Sequence, residues 1–324
     1  MALIAVKDLR KRFNLEAGFF APFGRFVYAV NGVSFTIAEN ESYGLVGESG
    51  CGKTTTARLL VRMYESDGGK ILYRDDTDVG ALKVRELALY REKVKYVFQD
   101  PARSLNPRMS VYKVLSSGMR RSSRWKGHKE AREAAAAILS EVGLSASDLE
   151  RRPAEFSGGQ RQRISIARGL LMEPELLICD EVVSALDVSI QGQILKLLLD
   201  LRSRHRLSFL FIAHDLKVAS YFCDRIGVMY RGEIMEEAPA AELHKKALHP
   251  YTKLLFSSVP GLSGSGGPPQ KPLPALDGEV ESSLAEEPGC AFAGRCPLAA
   301  ELCRGARPET VEAAPGHLVR CFKV

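Results

Sequence analysis

The run Gly47-Glu48-Ser49-Gly50-Cys51-Gly52-Lys53-Thr54 is where residue types and spacing first point to chemistry. It fits G-x-x-x-x-G-K-[ST], a loop whose glycines let backbone N–H groups converge on phosphate oxygens. Ser42–Val46 reads as a buried strand before it and residues 55–63 as a helix after it, so a bound phosphate would meet a helix N-terminus. Lys53 supplies charge for the β- and γ-phosphates, and Thr54 offers Mg²⁺ its hydroxyl. A carboxylate for that metal should end a second buried strand, and Leu176-Leu177-Ile178-Cys179-Asp180-Glu181 ends in two acids. Alternation along the strand end points them apart, so Asp180 can reach the Mg²⁺ shell while Glu181 faces an attacking water as general base.

The elements that must hold these groups follow from hydrophobic pattern. Residues 3–6, 33–37, 70–73, 94–98 and 207–213 read as strands, and residues 130–142 and 190–204 as helices. Strands alternating with helices imply an α/β fold with a largely parallel sheet. Residues 104–155 look helix-rich without an obvious strand and read as a helical insert. From Pro260 the composition changes: Gly261, Gly264, Gly266, Gly267, Pro268, Pro269, Pro272 and Pro274 make a linker, beyond which lies a small cysteine-bearing tail.

The 324 residues are 45% hydrophobic and 26% charged, which excludes a disordered chain, a collagen and a disulfide scaffold and allows about two domains. A net charge of +6 is too weak to argue for nucleic acid. The richest basic stretch, Arg120, Arg121, Arg124, Lys126, Lys129 and Arg132 with Glu130 among them, reads as a solvated helix face, with anionic lipid headgroups as the functional alternative. No apolar run approaches the roughly 18 residues that span a bilayer. Lys7, Asp8, Arg10, Lys11 and Arg12 interrupt the N-terminus before a signal peptide can form, which predicts a cytoplasmic chain that can sit on a membrane.

With these residues in place the chain resembles the ATP-hydrolysing subunit of an ATP-binding cassette (ABC) transporter. Ser157-Gly158-Gly159-Gln160 is similar to the family signature, and Gln99, Asp187 and His214 stand where its other switch positions are expected. The resemblance implies a P-loop NTPase (RecA-like) core with an antiparallel β subdomain over 1–103 and 156–240, a helical subdomain over 104–155, and a C-terminal region over 241–324. It further implies that Tyr28 stacks on adenine and that Gly47 to Thr55, including Thr55 itself, cradle ATP. Gln99 would sense Mg²⁺ and water, and His214 would contact the γ-phosphate. Ser184 and Asp187 would lie in the loop through which paired subunits communicate. Signature Ser and glycines would act on ATP held by a partner subunit in a head-to-tail dimer, a role compatible with a helix N-terminus. In isolation, Ser157 would read as a helix cap. Two residues depart from the family pattern: Phe156 replaces the usual Leu before the signature, and Val182 the usual Pro after the catalytic Glu. Both are apolar beside intact catalytic groups, and activity is expected to survive.

Several stretches are similar to the oligopeptide/dipeptide importer branch of that family: Phe98-Gln99-Asp100-Pro101, Ser104-Leu105-Asn106-Pro107-Arg108, Val183 through Gln191, and His249-Pro250-Tyr251-Thr252. The insert Gly18-Phe19-Phe20-Ala21-Pro22-Phe23-Gly24 and the stretch 91–100 look closest to the second of the two ATPases such importers pair. Cys290, Cys296, Cys303 and Cys321, spaced C-x₅-C-x₆-C-x₁₇-C, argue for a metal over a disulfide, and spacing alone leaves structural zinc and an iron–sulfur cluster open, with His317 a competing ligand. In the peptide-importer branch a matching cysteine pattern around Arg295-Cys296-Pro297 implies a [4Fe–4S] cluster.

The resemblance as a whole implies an ATP- and Mg²⁺-dependent subunit peripheral to the cytoplasmic face of the cell membrane. Its partners would be a second ABC ATPase, expected as a heterodimer, two transmembrane permeases and, indirectly, an extracytoplasmic substrate-binding protein, with no nucleic acid. The expected cargo is di- or oligopeptide. Alternatives are a nickel or other metal-chelate importer of the same branch, and a soluble cassette ATPase acting on ribosomes or DNA. A regulatory tail that senses redox state is compatible with transport.

Overall fold

Short apolar runs and helical periods take up the following order in the computed structural model, which describes residues 1–14, 26–120, 122, 124–257 and 288–324. The first half runs β1 (Ala2–Asn14), β2 (Phe26–Ala38), β3 (Ser42–Val46), α1 (Lys53–Leu60), β4 (Gly68–Tyr73), β5 (Thr77–Asp78), α2 (Val84–Lys93), β6 (Val94–Val97), α3 (Pro101–Ser104), α4 (Val111–Met119) and α5 (His128–Glu141). There follow α6 (Gly158–Leu170), β7 (Leu176–Asp180), α7 (Val188–His205), β8 (Ser208–Ala213), α8 (Leu216–Phe222), β9 (Arg225–Tyr230), β10 (Glu233–Pro239), α9 (Ala240–Lys246), α10 (Pro250–Ser257), α11 (Glu301–Gly305), β11 (Val311–Ala314) and β12 (His317–Val319). The apolar insert at 18–24, Arg121 of the basic stretch and the Gly/Pro linker lie outside the described residues.

The chain divides into two units, the first made of Met1–Ile37, Ser42–Gly80 and Ala213–Val324 and the second of Ala38–Glu41 and Ala81–Ile212. In the first, β1 pairs with β4 and β4 with β5, both antiparallel. A second set of strands in the same unit runs in the order β11-β12-β10-β9-β3. There β3 lies parallel to β9 in a register that sets Val46 beside Val228, while β9–β10, β10–β12 and β11–β12 are antiparallel. All five residues of β3 are buried, the pattern of a strand covered on both faces.

In the second unit β6, β7 and β8 are parallel, with Val97 beside Cys179 and Asp180 beside Ile212. Every residue of β7 and β8 is buried. Each large apolar side chain so enclosed contributes about 1.5–3 kcal/mol, which fixes the C-terminal end of β7 as a rigid platform. Residues 104–155 contribute α4 and α5 with short 3₁₀ turns at Ala146–Glu150 and Pro153–Glu155, and no strand among the described residues. Ser110 caps α4 by accepting from the Lys113 N–H.

Candidate functional site

In the first unit the chain leaves β3 and turns back on itself before α1, a turn that only glycine can make at two places. Gly47 has φ +154° and a Cβ there would lie 2.1 Å from the Met229 carbonyl oxygen; Gly52 has φ +108° and a Cβ would lie 2.1 Å from the Ala29 carbonyl oxygen. Gly52 is the N-cap of α1, so the helix starts directly at Lys53. Lys53 is 3% exposed. Its Nζ donates to the Gly47 and Glu48 carbonyl oxygens at 2.8 Å each, and it lies 3.6 Å from Cys51 Sγ. Burial pushes the Cys51 thiol up, against the opposing pull of Lys53, so the sulfur stays a neutral packing group. Ser49 and Gly50 are exposed at the crest of the loop, and Thr54 and Thr55 sit half-buried in the first turn of α1.

Two residues from late in the chain hold this loop. The Arg295 guanidinium forms a two-point pair with the Glu48 carboxylate, at 2.8 and 3.2 Å, and the Tyr251 hydroxyl accepts from the Glu48 N–H at 3.1 Å. Tyr28 lines a cavity of about 210 Å³ together with Arg10, Arg12 and Asn31. His214 is exposed in the turn that leads into α8, beside Asp215, whose side chain caps that helix.

The second unit holds the acids. Asp180 ends β7 at 2% exposure, and its Oδ2 accepts from the Tyr96 hydroxyl at 2.5 Å. Glu181 follows with φ +47°, a left-handed conformation that costs a non-glycine residue about 1–3 kcal/mol. The surroundings enforce it: the Glu181 N–H donates to the Ile212 carbonyl at 3.1 Å, and its own carbonyl accepts from Ser184 N–H at 3.1 Å and Ser184 Oγ at 2.9 Å. The kink turns the carboxylate toward Gln99, whose Nε2 donates to Glu181 Oε2 at 2.7 Å. Sequence reasoning put Gln99 and Glu181 in separate roles and missed Tyr96; the aromatic two residues before Phe98 on a parallel strand beside β7 was the available signal.

The signature residues begin α6 in the same unit. Ser157 Oγ accepts from the Gln160 N–H at 3.3 Å and Gln160 Oε1 from the Ser157 N–H at 3.0 Å, a reciprocal capping box. Gly159 has a packing reason, since a Cβ there would lie 2.7 Å from Ile190 Cγ2 on α7. The two departures are both buried: Phe156, which lies under the Arg151 guanidinium at 4.3 Å, and Val182. Asp187 is the exposed N-cap of α7, and Ser184 is held by its bond to the Glu181 carbonyl.

All four tail cysteines are free thiols. Among the described residues no three of His, Cys, Asp and Glu draw together as a metal-holding group, so the four-ligand centre expected from the spacing is not formed by this arrangement. His317, the competing ligand, is instead buried against Glu236, with Nε2 2.7 Å from Oε1. Each tail sulfur nevertheless receives a backbone N–H: Cys290 from Phe292, Cys296 from Leu298, Cys303 from Ala300 at 3.5 Å and Cys321 from Lys323 at 3.5 Å. Burial lifts the Cys290 thiol to about 11, and the other three thiols push it the same way. Burial also raises the Cys296 thiol.

Residues 30–184 match the ABC transporter family model, and residues 235–303 the model of the oligopeptide/dipeptide transporter C-terminal region. The oligopeptide transport ATP-binding protein AppF of Bacillus subtilis is 42% identical over 321 residues, covering 98% of this chain and 96% of the relative. The chain belongs to the ATP-binding cassette family. The probable peptide ABC transporter ATP-binding protein y4tS of Sinorhizobium fredii is also 42% identical, over 99% of this chain and 89% of its own length. Among solved structures, the MJ0796 ATP-binding cassette, in a dimeric post-hydrolysis state bound to ADP and Pi, superposes with a TM-score of 0.64 at 25% identity, over 73% of this chain and 98% of that one. CbiO1 of Clostridium perfringens, part of the ABC transporter complex cbiONQ, gives 0.64 at 25% identity over 75% and 90%. The α/β nucleotide-binding fold expected from the sequence is therefore the fold of this ABC ATPase, and binding of ATP with Mg²⁺ and its hydrolysis come with the family. No described helix of the ABC ATPase is long and apolar enough to cross a membrane.

Proposed function

We propose that this ABC ATPase powers import of di- or oligopeptides across the cytoplasmic membrane, working from the cytoplasmic face as one half of a head-to-tail ATPase pair on two permease subunits. The observation that carries the reading is the oligopeptide/dipeptide transporter C-terminal region over residues 235–303, joined to a phosphate loop that only its glycines allow. The partner ATPase is a different chain, and an extracytoplasmic binding protein delivers the cargo.

In this reading the chain is organised as a RecA-like core with β subdomain over 1–103 and 156–240, a helical subdomain over 104–155 that passes motion to the permeases, and the C-terminal region over 241–324. Tyr28 stacks on adenine, and the loop from Gly47 to Thr55 wraps the phosphates with the Lys53 ammonium on the β- and γ-groups. Thr54, Gln99 and Asp180 hold Mg²⁺, Glu181 takes a proton from the attacking water, and His214 contacts the γ-phosphate. Ser157, Gly158, Gly159 and Gln160 offer a helix N-terminus to the nucleotide of the partner ATPase, with Ser184 and Asp187 carrying the signal between subunits. Closure around two nucleotides and reopening after hydrolysis drive the permeases.

The tail completes the proposal as a metal lobe, with Cys290, Cys296, Cys303 and Cys321 drawing together as thiolate ligands only when a [4Fe–4S] cluster binds. What supports it is the donor set: four soft thiol ligands in one lobe, each already met by a backbone N–H of the kind that surrounds a ligating sulfur. Anaerobically purified protein should carry iron and labile sulfide; stoichiometric zinc without sulfide overturns the cluster.

The test of function is affinity purification of the tagged chain from detergent-solubilised native membranes, followed by mass spectrometry. Two permeases and a second cassette ATPase are expected, and peptide uptake should vanish in cells carrying Glu181→Gln. Recovery with ribosomal or DNA-associated partners overturns the reading, and uptake of a metal chelate in place of peptides overturns the cargo.

A further inference from the structure

An acidic side chain in a loop that must wrap a polyphosphate needs an explanation. Glu48 lies immediately after the first glycine of the loop, with its side chain 14% exposed. An unpaired carboxylate there would repel the triphosphate and would hold water that nucleotide binding must strip away. The chain answers with Arg295, whose guanidinium meets both carboxylate oxygens, at 2.8 and 3.2 Å. A planar fork matched to a carboxylate is the geometry that neutralises charge and also fixes direction.

Arg295 is itself held from three sides. Its guanidinium lies 5.7 Å from the Tyr230 ring centroid and 3.4 Å from the Tyr230 hydroxyl, and the Arg295 backbone N–H donates to the Phe292 carbonyl at 3.0 Å. Phe292 is buried among Tyr230 and Tyr251 at ring separations of 5.3 Å each. Tyr251 in turn accepts from the Glu48 N–H. Side chain and backbone of one loop residue are thus both held by residues more than 200 positions away. All of these groups belong to the first unit.

We propose that Arg295 is a positioning residue for ATP binding: it neutralises Glu48 and fixes the phosphate loop, making the C-terminal tail part of the nucleotide-binding apparatus. The proposal rests on the reading of residues 47–55 as the ATP loop. Its distinctive consequence is a sign. Arg295→Ala leaves a bare carboxylate against the phosphates, whereas Glu48→Gln removes the charge and the need for its partner together.

The experiment measures KM for ATP, kcat and ATP affinity in the full-length protein for Arg295→Ala, Arg295→Lys, Glu48→Gln and the double variant Arg295→Ala/Glu48→Gln, with Lys53→Ala as control. Arg295→Ala should raise KM about tenfold with kcat within about twofold, the size expected for losing a charged hydrogen-bonded partner. Arg295→Lys should fall between wild type and Arg295→Ala, because the charge remains but the two-point fork is lost. Glu48→Gln should rescue: the double variant should bind ATP several-fold better than Arg295→Ala alone. Unchanged KM in Arg295→Ala, or a double variant as poor as Arg295→Ala, overturns the proposal. So does a loss of kcat and thermal stability at constant KM, which marks a purely structural tail contact. If Arg295→Ala fails to fold, Arg295→Gln carries the same comparison, with and without Glu48→Gln. Undiminished ATP binding by Lys53→Ala would overturn the loop reading itself, whereas its loss beside an unaffected Arg295→Ala overturns only the role of Arg295.

Discussion

Gln99 and Glu181, 82 residues apart in sequence, are joined by a 2.7 Å bond from the glutamine Nε2 to the glutamate Oε2. The bond is possible because Glu181 adopts a left-handed backbone at the end of β7, which swings its carboxylate away from the strand direction followed by Asp180. Two adjacent acids therefore have different surroundings: Asp180 is buried under the Tyr96 hydroxyl, and Glu181 is half-exposed and anchored to an amide. A carboxylate with one oxygen tied and one free is arranged to accept a proton from water in a defined direction.

Glu181→Gln keeps an amide partner for Gln99 and removes the base. Hydrolysis should fall by at least about 100-fold, the usual scale of general-base catalysis, while ATP affinity stays within a few-fold of wild type. Phosphate release and equilibrium ATP binding read the two effects separately. Brisk steady-state turnover by the variant would contradict the role given to Glu181.

Gln99→Ala tests orientation. Glu181 retains its charge but loses the donor that aims it, so kcat should drop about tenfold to a hundredfold, the cost of a hydrogen bond to a charged group. Because the pair is exposed, the thermal midpoint should move by less than about 2 °C. A midpoint that falls sharply with unchanged kcat would make the bond a structural strut.

Tyr96→Phe removes the 2.5 Å donor from Asp180 and leaves the ring in place. If Asp180 serves Mg²⁺, loss of this outer partner should raise the Mg²⁺ concentration for half-maximal hydrolysis about tenfold or more. The titration is done at saturating ATP. An unshifted Mg²⁺ dependence would remove Asp180 from the metal shell.

Much of this was legible in the residues. The loop from Gly47 to Thr54 and the strand ending at Asp180 were readable because each couples a buried, strongly patterned strand to polar groups at its end. Strand β10 was not, since its sequence Glu233-Ile234-Met235-Glu236-Glu237-Ala238-Pro239 has the composition of an exposed segment. It is buried because each acid has a distant partner: Glu233 meets Arg307 and Arg320, Glu236 meets His317, and Glu237 meets Tyr43 and Arg225. Long-range pairing of this kind leaves no local periodicity. The same reason hid Arg295, which reads as one basic residue beside a cysteine, and Tyr96, which reads as core.

Gly52→Ala tests whether the loop backbone is as constrained as its geometry says. The new Cβ would stand 2.1 Å from the Ala29 carbonyl oxygen at φ +108°, and a backbone oxygen has no rotamer by which to move aside. Strain of about 1–3 kcal/mol or more should lower the thermal midpoint by several degrees and weaken ATP binding more than tenfold. Near-normal binding would mean the loop accommodates the methyl by moving, and that the tight turn is not required.

His249 gives the fold a pH dependence whose sign follows from its surroundings. Burial, with Lys253 adding to it, lowers the imidazole from 6.5 to about 4, so the folded protein holds the neutral ring. Its Nδ1 accepts from the Tyr251 N–H at 3.0 Å, and a proton on that nitrogen would abolish the bond. The nearby Glu236 carboxylate is already committed to the His249 and Leu248 N–H groups and to His317, and the Phe292 ring packs 5.7 Å away. The unfolded chain takes up a proton near pH 6.5 and the folded chain only near pH 4. Stability is therefore complete above about pH 6.5 and declines as pH falls toward 4, at up to about 1.4 kcal/mol per pH unit. His249→Gln keeps an acceptor for Tyr251 without the titration. Urea unfolding at pH 7.5 and pH 5 should show a smaller loss in the variant than in the wild type, even if the variant is less stable at both. Identical losses would remove His249 as a source of the acid sensitivity.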